Sequence, residues 1–310
     1  MEDFAPIVIF AYRRPEHLRA TLDSLARCKE FASSKIVVFC DGAKTAEDRD
    51  AVDATRRVAQ AQLGARAEYR FRETNAGLAT SIIEGVTEAT RRFGRAIVLE
   101  DDLQLSANFL AYMNSALKRY EDEPRVLQIS GQLFNTPEFH ERDTAIFLPF
   151  TTSWGWGTWR RAWEMFDPSA RDWEQLKRDR ALRHRFNLDG SYDYSTMLQR
   201  QMSGLGDSWA IRWYWSVFRN DGIVCFPPVS LVQNTGLDGS GTHGRGSLRK
   251  FKSEAAPARI GGISLPGRAE VKESDFELVK KAIWRQNGGY LGSAVDMVRR
   301  RLFALTGKHM

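Results

Sequence analysis

Over roughly the first 130 residues, short runs of consecutive apolar side chains alternate with longer stretches in which apolar residues recur every three or four positions. Ile7-Val8-Ile9-Phe10-Ala11 contains no polar position, and the strand it predicts is buried on both faces. Pro15 opens a helix that carries Leu18, Leu22 and Leu25 on one side. Ile36-Val37-Val38-Phe39-Cys40 repeats the strand pattern and stops at Asp41-Gly42, and a polar helix follows from about Ala46 to Leu63. Tyr69-Arg70-Phe71 reads as a short strand. From Leu78, the positions Ile82, Val86, Ala89 and Phe93 are spaced for a helix that Gly94 ends, and Ala96-Ile97-Val98-Leu99 returns to strand before Glu100-Asp101-Asp102. Phe109, Met113, Leu117 and Tyr120 mark another helix, and Val126-Leu127-Gln128-Ile129 another strand. This βαβαβ rhythm predicts an α/β fold with a mainly parallel sheet, helices on both faces and ligands at the carboxyl ends of the strands.

The pattern after residue 130 is less regular. An aromatic and glycine cluster spans Thr152 to Trp159, a polar helical stretch runs from about Trp173 to Arg185, a Trp-rich helix covers Asp207 to Phe218, and Gly222 to Pro228 is a late strand. From Tyr290 to Thr306, Leu291, Val295, Val298, Leu302 and Leu305 form an apolar stripe beside Arg299-Arg300-Arg301. Such an amphipathic helix suits an anionic membrane surface, and equally suits docking on its own domain or on a partner chain. With no internal repeat and no clear linker, the organisation expected is one domain over residues 1–245, regular to about residue 130 and irregular beyond it, followed by a basic extension over 246–310.

Composition narrows the class. The chain has 310 residues, 43% of them hydrophobic, with 18 Phe and 9 Trp, enough apolar surface to offset chain entropy and exclude a disordered protein. No run of ~18 apolar residues offers a membrane span, and the start at Met1-Glu2-Asp3 is acidic where a secretory leader is basic. The expectation is a cytoplasmic chain, with the tail as a peripheral contact to the inner face of the membrane. Cys28, Cys40 and Cys225 are odd in number and set among apolar residues, as reduced core thiols are. The net charge of +6 is unevenly placed: residues 1–242 sum to −2 and residues 243–310 to +8. A nucleic-acid reader spreads basic residues over its folded face, so no nucleic-acid partner is expected.

Candidate chemistry sits at the strand ends. Glu100-Asp101-Asp102 follows a buried strand, where adjacent carboxylates repel unless a cation or a hydroxyl-rich ligand compensates. Hard oxygen ligands suit Mg²⁺ or Mn²⁺, which take one or two carboxylates and complete their shell with phosphates and water. Asp41 ends the second strand, and Arg13-Arg14 follow the first. Neighbouring strands would bring these groups into one crevice. An acidic helix start and a plain Asp-Gly turn are the alternative readings of the same residues.

Taken in order, Ala11-Tyr12-Arg13-Arg14-Pro15, Asp41, Asn75-Ala76-Gly77-Leu78 and Glu100-Asp101-Asp102 resemble the GT-A fold of nucleotide-sugar glycosyltransferases, and within it the acid triplet of N-acetylglucosaminyltransferase I and its relatives. Phe150 to Trp163, Asp207-Ser208-Trp209 and Gly241-Thr242-His243-Gly244 continue the resemblance, which spans about residues 5–245 and extends to bacterial sugar transferases of surface-polysaccharide assembly, including lipopolysaccharide. The resemblance implies an inverting enzyme that uses Mn²⁺ or Mg²⁺ and moves a sugar, with UDP-N-acetylglucosamine as donor, to a hydroxyl of a glycan or lipid-linked glycan. It implies Asp102 as the metal ligand, Asp101 near the ribose, Glu100 at the transferred sugar, Asp41 at the nucleoside, Arg14 at the nucleotide end of the donor and Asp207 as the catalytic base. Ser208 departs from the second Asp of that motif. Trp209, Trp213 and Trp215 are expected to desolvate Asp207 and raise its pKa toward working pH. Trp156, between two glycines, is read as a donor or acceptor wall, and Trp159 as core. His243, in a glycine-rich loop, is expected to donate to phosphate or to ligate the metal.

Two rivals remain at this point. A sugar-phosphate nucleotidyltransferase would show a glycine-rich loop after the first strand, where Ala11-Tyr12-Arg13-Arg14 has no glycine. A non-catalytic carbohydrate- or membrane-binding protein explains the aromatic loop and the basic tail, but not three acids at a strand end together with Asp207.

Overall fold

The apolar runs form the centre of a sheet. A computed structural model describes residues 3–236 and 262–286 of the chain. Its strands are β1 (Ile7–Ala11), β2 (Ile36–Cys40), β3 (Ala67–Phe71), β4 (Arg95–Glu100), β5 (Leu103–Leu105), β6 (Val126–Ser130), β7 (Ile146–Leu148), β8 (Trp156–Trp159), β9 (Ile223–Phe226) and β10 (Val232–Asn234). The helices are α1 (Pro15–Leu25), α2 (Arg49–Leu63), α3 (Leu78–Phe93), α4 (Phe109–Arg119), α5 (Arg160–Trp163), α6 (Gln175–Arg178), α7 (Arg180–Phe186), α8 (Tyr194–Met202), α9 (Trp209–Arg219) and α10 (Glu273–Gln286).

Eight strands lie in the order β3-β2-β1-β4-β8-β6-β9-β7. Strands β3, β2, β1 and β4 are mutually parallel, and β8 runs against both β4 and β6, so β6 and its parallel neighbour β9 point the same way as β4. The sheet is therefore mainly parallel, as the sequence predicts. Every residue of β1 and β2 is buried, because helices cover both faces: α1 packs with α2, and α3 packs with α5 and α9. The periodic helices fall where their spacing puts them, and Gly94 caps α3 in the left-handed conformation. The three cysteines are free and buried.

Two helix boundaries differ from expectation, each for a local reason. The polar stretch from Trp173 to Arg185 breaks at Asp179, which is extended and whose carboxylate accepts the Leu182 N–H to start α7. The Trp-rich helix begins at Trp209 instead of Asp207, because Ser208 is its N-cap and accepts the Ile211 N–H. The first turn of the 46–63 segment, Ala46–Asp48, is 3₁₀.

Asp167 holds the turn on which α9 docks. Its carboxylate accepts the Ser169 N–H and hydroxyl and the Arg171 N–H and Nε, and its own N–H donates to Ser216 Oγ in α9. Burial works to raise the Asp167 pKa, but these bonds outweigh it and hold the group at about 2. The folded value lies below the unfolded one, so the stabilisation is complete above about pH 4 and disappears as pH falls toward 2. Discounted for partial exposure, it amounts to about 1–2 kcal/mol. Urea unfolding of Asp167→Asn should show that deficit at pH 6 and a shrinking one at pH 3; an equal deficit at both pH values would contradict the assignment.

The segment 262–286 packs back on the sheet domain. Ser264 bridges to Thr144, the Tyr120 hydroxyl donates to the Pro266 carbonyl at 2.8 Å, and Arg142 pairs with Asp275 at 2.7 Å. Val279 and Ile283 of α10 are fully buried, and the Lys280 ammonium sits 2.5 Å from Asp189 and 2.6 Å from Glu277. The amphipathic stripe predicted for Tyr290 to Thr306 lies outside the described residues, as does His243. Among the described residues, no helix is long and apolar enough to cross a membrane.

Candidate active site

The parallel strands bring their carboxyl ends to one edge, and the predicted acids and arginines converge there. Arg13 and Arg14 leave β1, Asp41 leaves β2, and Glu100-Asp101-Asp102 leave β4, with β1 flanked by β2 and β4. Because β8 is antiparallel to β4 and β6, the loop before Trp156 reaches the same edge.

Asp101 is almost completely enclosed. Its carboxylate accepts the Tyr12 N–H at 3.2 Å and a bond from Arg14, and its carbonyl accepts the Thr21 hydroxyl at 2.8 Å. Asp102 Oδ2 lies 2.9 Å from Arg14 Nη2, and its carbonyl accepts both the N–H (2.8 Å) and the hydroxyl (3.0 Å) of Thr235. Burial acts against the Arg14 charge, but Asp101 and Asp102 more than offset it and hold the guanidinium pKa above the ordinary arginine value. Arg14, expected at the nucleotide end of the donor, thus turns its guanidinium onto the acid pair. Burial raises the Asp101 pKa, and Arg14 offsets only part of that rise. Burial, with repulsion from Asp102 and then Asp101, pushes Glu100 up to about 8, so at neutral pH it carries a proton and can donate a hydrogen bond.

Asp41 organises a turn. Its carboxylate accepts the N–H groups of Gly42 and Ala76, each at 2.9 Å, and that of Gly77, also at 2.9 Å. These bonds tie the Asn75-Ala76-Gly77 loop, and with it the start of α3, to the end of β2. Asp207 joins the same corner: its Oδ2 lies 3.7 Å from the point where a Cβ on Gly77 would stand. The environment expected for Asp207 is not there. Its side chain is exposed, and Trp209, Trp213 and Trp215 turn into the core at 3% exposure or less, so no indole desolvates it. The nearby cation is Arg212: burial lowers its pKa and the Asp207 charge works against that.

Trp156 is not a wall of the site. It is 1% exposed, stacks on Trp209 with ring centroids 5.2 Å apart and contacts Trp163 and Trp213. It is core, as is Trp159. The half-buried Trp154, two residues earlier, is the indole that the cluster leaves partly open at the edge.

Sequence reasoning missed the arm that closes the site. β10 pairs antiparallel with β5 immediately after the acid triplet, which carries Asn234, Thr235 and Gly236 over Asp102. The Asn234 Oδ1 accepts the Gly236 N–H at 2.8 Å, and a Cβ on Gly236 would fall 2.1 Å from Asp102 Oδ2. A three-residue strand among polar neighbours carries no periodicity, and only the pairing reveals it.

A divalent ion can be tested against these groups. Among the described residues, no cluster of three His, Cys, Asp or Glu is disposed to hold one. Asp102 alone supplies a hard carboxylate at the site edge, which suits Mg²⁺ or Mn²⁺ completed by substrate phosphates. The donor type fits; the position on Oδ2 is the one Arg14 takes.

A mainly parallel sheet of mixed order, with a carboxyl edge carrying an acid triplet, arginines and a further carboxylate from the irregular second half of the chain, defines a GT-A glycosyltransferase. The chain belongs to glycosyl transferase family 2, whose profile matches residues 7–203. No curated protein sequence matches it. Among solved structures, it is similar to GalNAc-T7 with UDP, GalNAc and Mn²⁺ (11% identity, TM-score 0.46, covering 76% of this chain and 44% of that one). Residues 1–349 of TarS from S. aureus give 12% identity and a TM-score of 0.46 over 98% of this chain and 75% of that one. The mannosyltransferase PcManGT from Pyrobaculum calidifontis, with GDP-Man and Mn²⁺, gives 12% identity and a TM-score of 0.37 over 70% and 69%. These likenesses concern the fold. Membership in the family makes the chain a glycosyltransferase and sets aside the nucleotidyltransferase and non-catalytic readings.

Proposed function

We propose that the enzyme is an inverting, metal-dependent transferase that moves N-acetylglucosamine from UDP-N-acetylglucosamine to a hydroxyl of a glycan or lipid-linked glycan. The observation that carries this reading is the convergence at one sheet edge of Asp102 and Arg14 on one side and Asp207, beside Gly77, on the other. Asp102 would hold Mn²⁺ or Mg²⁺, whose chemistry there is to neutralise charge on the departing diphosphate. Glu100 would face a hydroxyl of the transferred sugar, and Asp101 the ribose. The Asp41-braced loop would seat the nucleoside, and Trp154 is better placed than Trp156 to line the sugar. Asp207 would take the proton of the acceptor hydroxyl on the face opposite the leaving group, which gives single displacement and inversion. The choice of UDP-N-acetylglucosamine comes from the resemblance to N-acetylglucosaminyltransferase I. Residues 1–245 would form the transferase and 246–310 a basic extension that brings it to an anionic membrane surface near a lipid-linked acceptor.

Calorimetric titration of UDP with and without Mn²⁺ tests the reading. Wild type should bind UDP at least ~10-fold more tightly with the metal, and Asp102→Ala should lose most of that gain. If no nucleoside diphosphate binds under any metal condition, the proposal is wrong.

A further inference from the structure

Arg14 occupies the place on Asp102 that a divalent ion would need. Its Nη2 lies 2.9 Å from Asp102 Oδ2 and also bonds Asp101, while the Asp102 side chain is only 10% exposed. The other approach to Oδ2 is closed by Gly236, where an added Cβ would meet Oδ2 at 2.1 Å and Arg14 Nη1 at 2.7 Å. Thr235 holds the Asp102 backbone in place through two bonds to its carbonyl. Of the groups around Oδ2, Arg14 is the one on a long side chain at the end of β1, and at 19% exposure it is the most open of the three ion-paired residues.

Charge decides what can move it. Two carboxylates, Asp101 and Asp102, on one guanidinium leave the strand end negative, the wrong sign for a diphosphate. A divalent ion on Asp102 reverses that sign, but only if Arg14 leaves. A diphosphate offers the planar guanidinium a bidentate partner in exchange for the carboxylates it gives up. Each event therefore removes the obstacle to the other.

We propose that Arg14 is a displaceable counter-ion that blocks the metal position on Asp102 until a nucleoside diphosphate draws its guanidinium onto the phosphates, so that metal and nucleotide bind as a coupled pair. The inference rests on the reading of Asp102 as the metal ligand. Linkage makes the coupling reciprocal: nucleotide tightens metal by the same factor by which metal tightens nucleotide.

Titration of the full chain with MnCl₂, followed through the electron-paramagnetic signal of the free aquo ion, tests it. With the Mn²⁺ that the nucleotide itself chelates subtracted by a protein-free titration, wild type should bind Mn²⁺ weakly alone and ~10-fold or more tightly in saturating UDP or GDP. Arg14→Gln, shown folded by near-UV circular dichroism, should bind Mn²⁺ alone ~10-fold more tightly than wild type, with a correspondingly smaller nucleotide effect. If Arg14→Gln gains no metal affinity while Asp102→Ala still abolishes binding, the gate is wrong and the metal ligand stands. If Asp102→Ala binds Mn²⁺ as wild type does, the metal-ligand reading fails and takes the gate with it. Should Arg14→Gln not fold, Arg14→Lys, whose ammonium cannot span both acids as the guanidinium does, takes its place with the same expectation of tighter Mn²⁺ binding alone, and an unchanged affinity overturns the gate.

Discussion

Asp207→Asn is expected to lower kcat by ~10²–10⁴-fold while leaving UDP affinity in the presence of Mn²⁺ within about twofold of wild type. Asn keeps the size of the side chain and its position beside Gly77 but cannot accept a proton, so only steps that need a base at that point suffer. The neighbourhood protects the comparison. Ser208, not Asp207, caps α9, and the indoles of that helix pack inward without it, so the substitution removes no fold contact of known weight. Transfer from UDP-N-acetylglucosamine, or its slow hydrolysis with water as acceptor, is the rate to follow. Near-normal turnover would remove Asp207 from the mechanism. An equal loss of donor binding would instead make it a nucleotide-site residue. The exposure of Asp207 sharpens this prediction: acceptor binding itself must complete the desolvation that makes a carboxylate an effective base, so the defect should be larger for a glycan acceptor than for water.

What the chain discloses in advance depends on whether a residue's role is set by its neighbours in sequence or by those across the sheet. Ile7–Ala11, Ile36–Cys40 and the α3 stripe were legible because burial on both faces and helical spacing are written in consecutive residues. The acid triplet and Asp41 were legible because strand ends must meet at one edge in a parallel sheet. Trp156 was misread because glycines on either side suggest a loop near a ligand. Gly157 sits in a crowded place instead: a Cβ there would lie 3.0 Å from the Ala96 carbonyl oxygen on β4, 3.1 Å from Met113 and 3.2 Å from Leu117. That crowding comes from a strand and a helix forty or more residues earlier, out of reach of local pattern. The environment of Asp207 failed for a related reason. Three tryptophans on one helix indicate apolar surroundings, but not which way the residue before the cap points.

The arm over Asp102 is the part of the site least visible in sequence, and it sets the other large effect. Gly236→Ala should lower transfer by ~10²-fold or more, with circular dichroism and the unfolding midpoint close to wild type. The clash falls on two side-chain ends: the new methyl group would stand 2.1 Å from Asp102 Oδ2 and 2.7 Å from Arg14 Nη1, so the carboxylate and the guanidinium must both give way if the arm stays down. Either the arm lifts, breaking the Thr235 bonds and fraying β10 from β5, or the Asp102 carboxylate is driven off line. The second moves a charged ligand by about an ångström, a displacement that costs orders of magnitude in rate when the group must meet a metal and a phosphate together, and the first removes the enclosure and the Thr235 hold that fix Asp102 for that step. Global stability is spared because Gly236 lies beyond β10, and the buried Leu103, Leu105 and Val232 of the two-stranded sheet stay in the core unless fraying runs back along β10. The two routes differ in what they do to Mn²⁺. A lifted arm opens Oδ2 and leaves Asp102 in place, so metal affinity without nucleotide should hold or rise while turnover falls. A displaced carboxylate loses metal and turnover together. Wild-type turnover in Gly236→Ala would show that the arm does not sit on Asp102 in the working enzyme, and would take with it the enclosure on which the Arg14 gate depends.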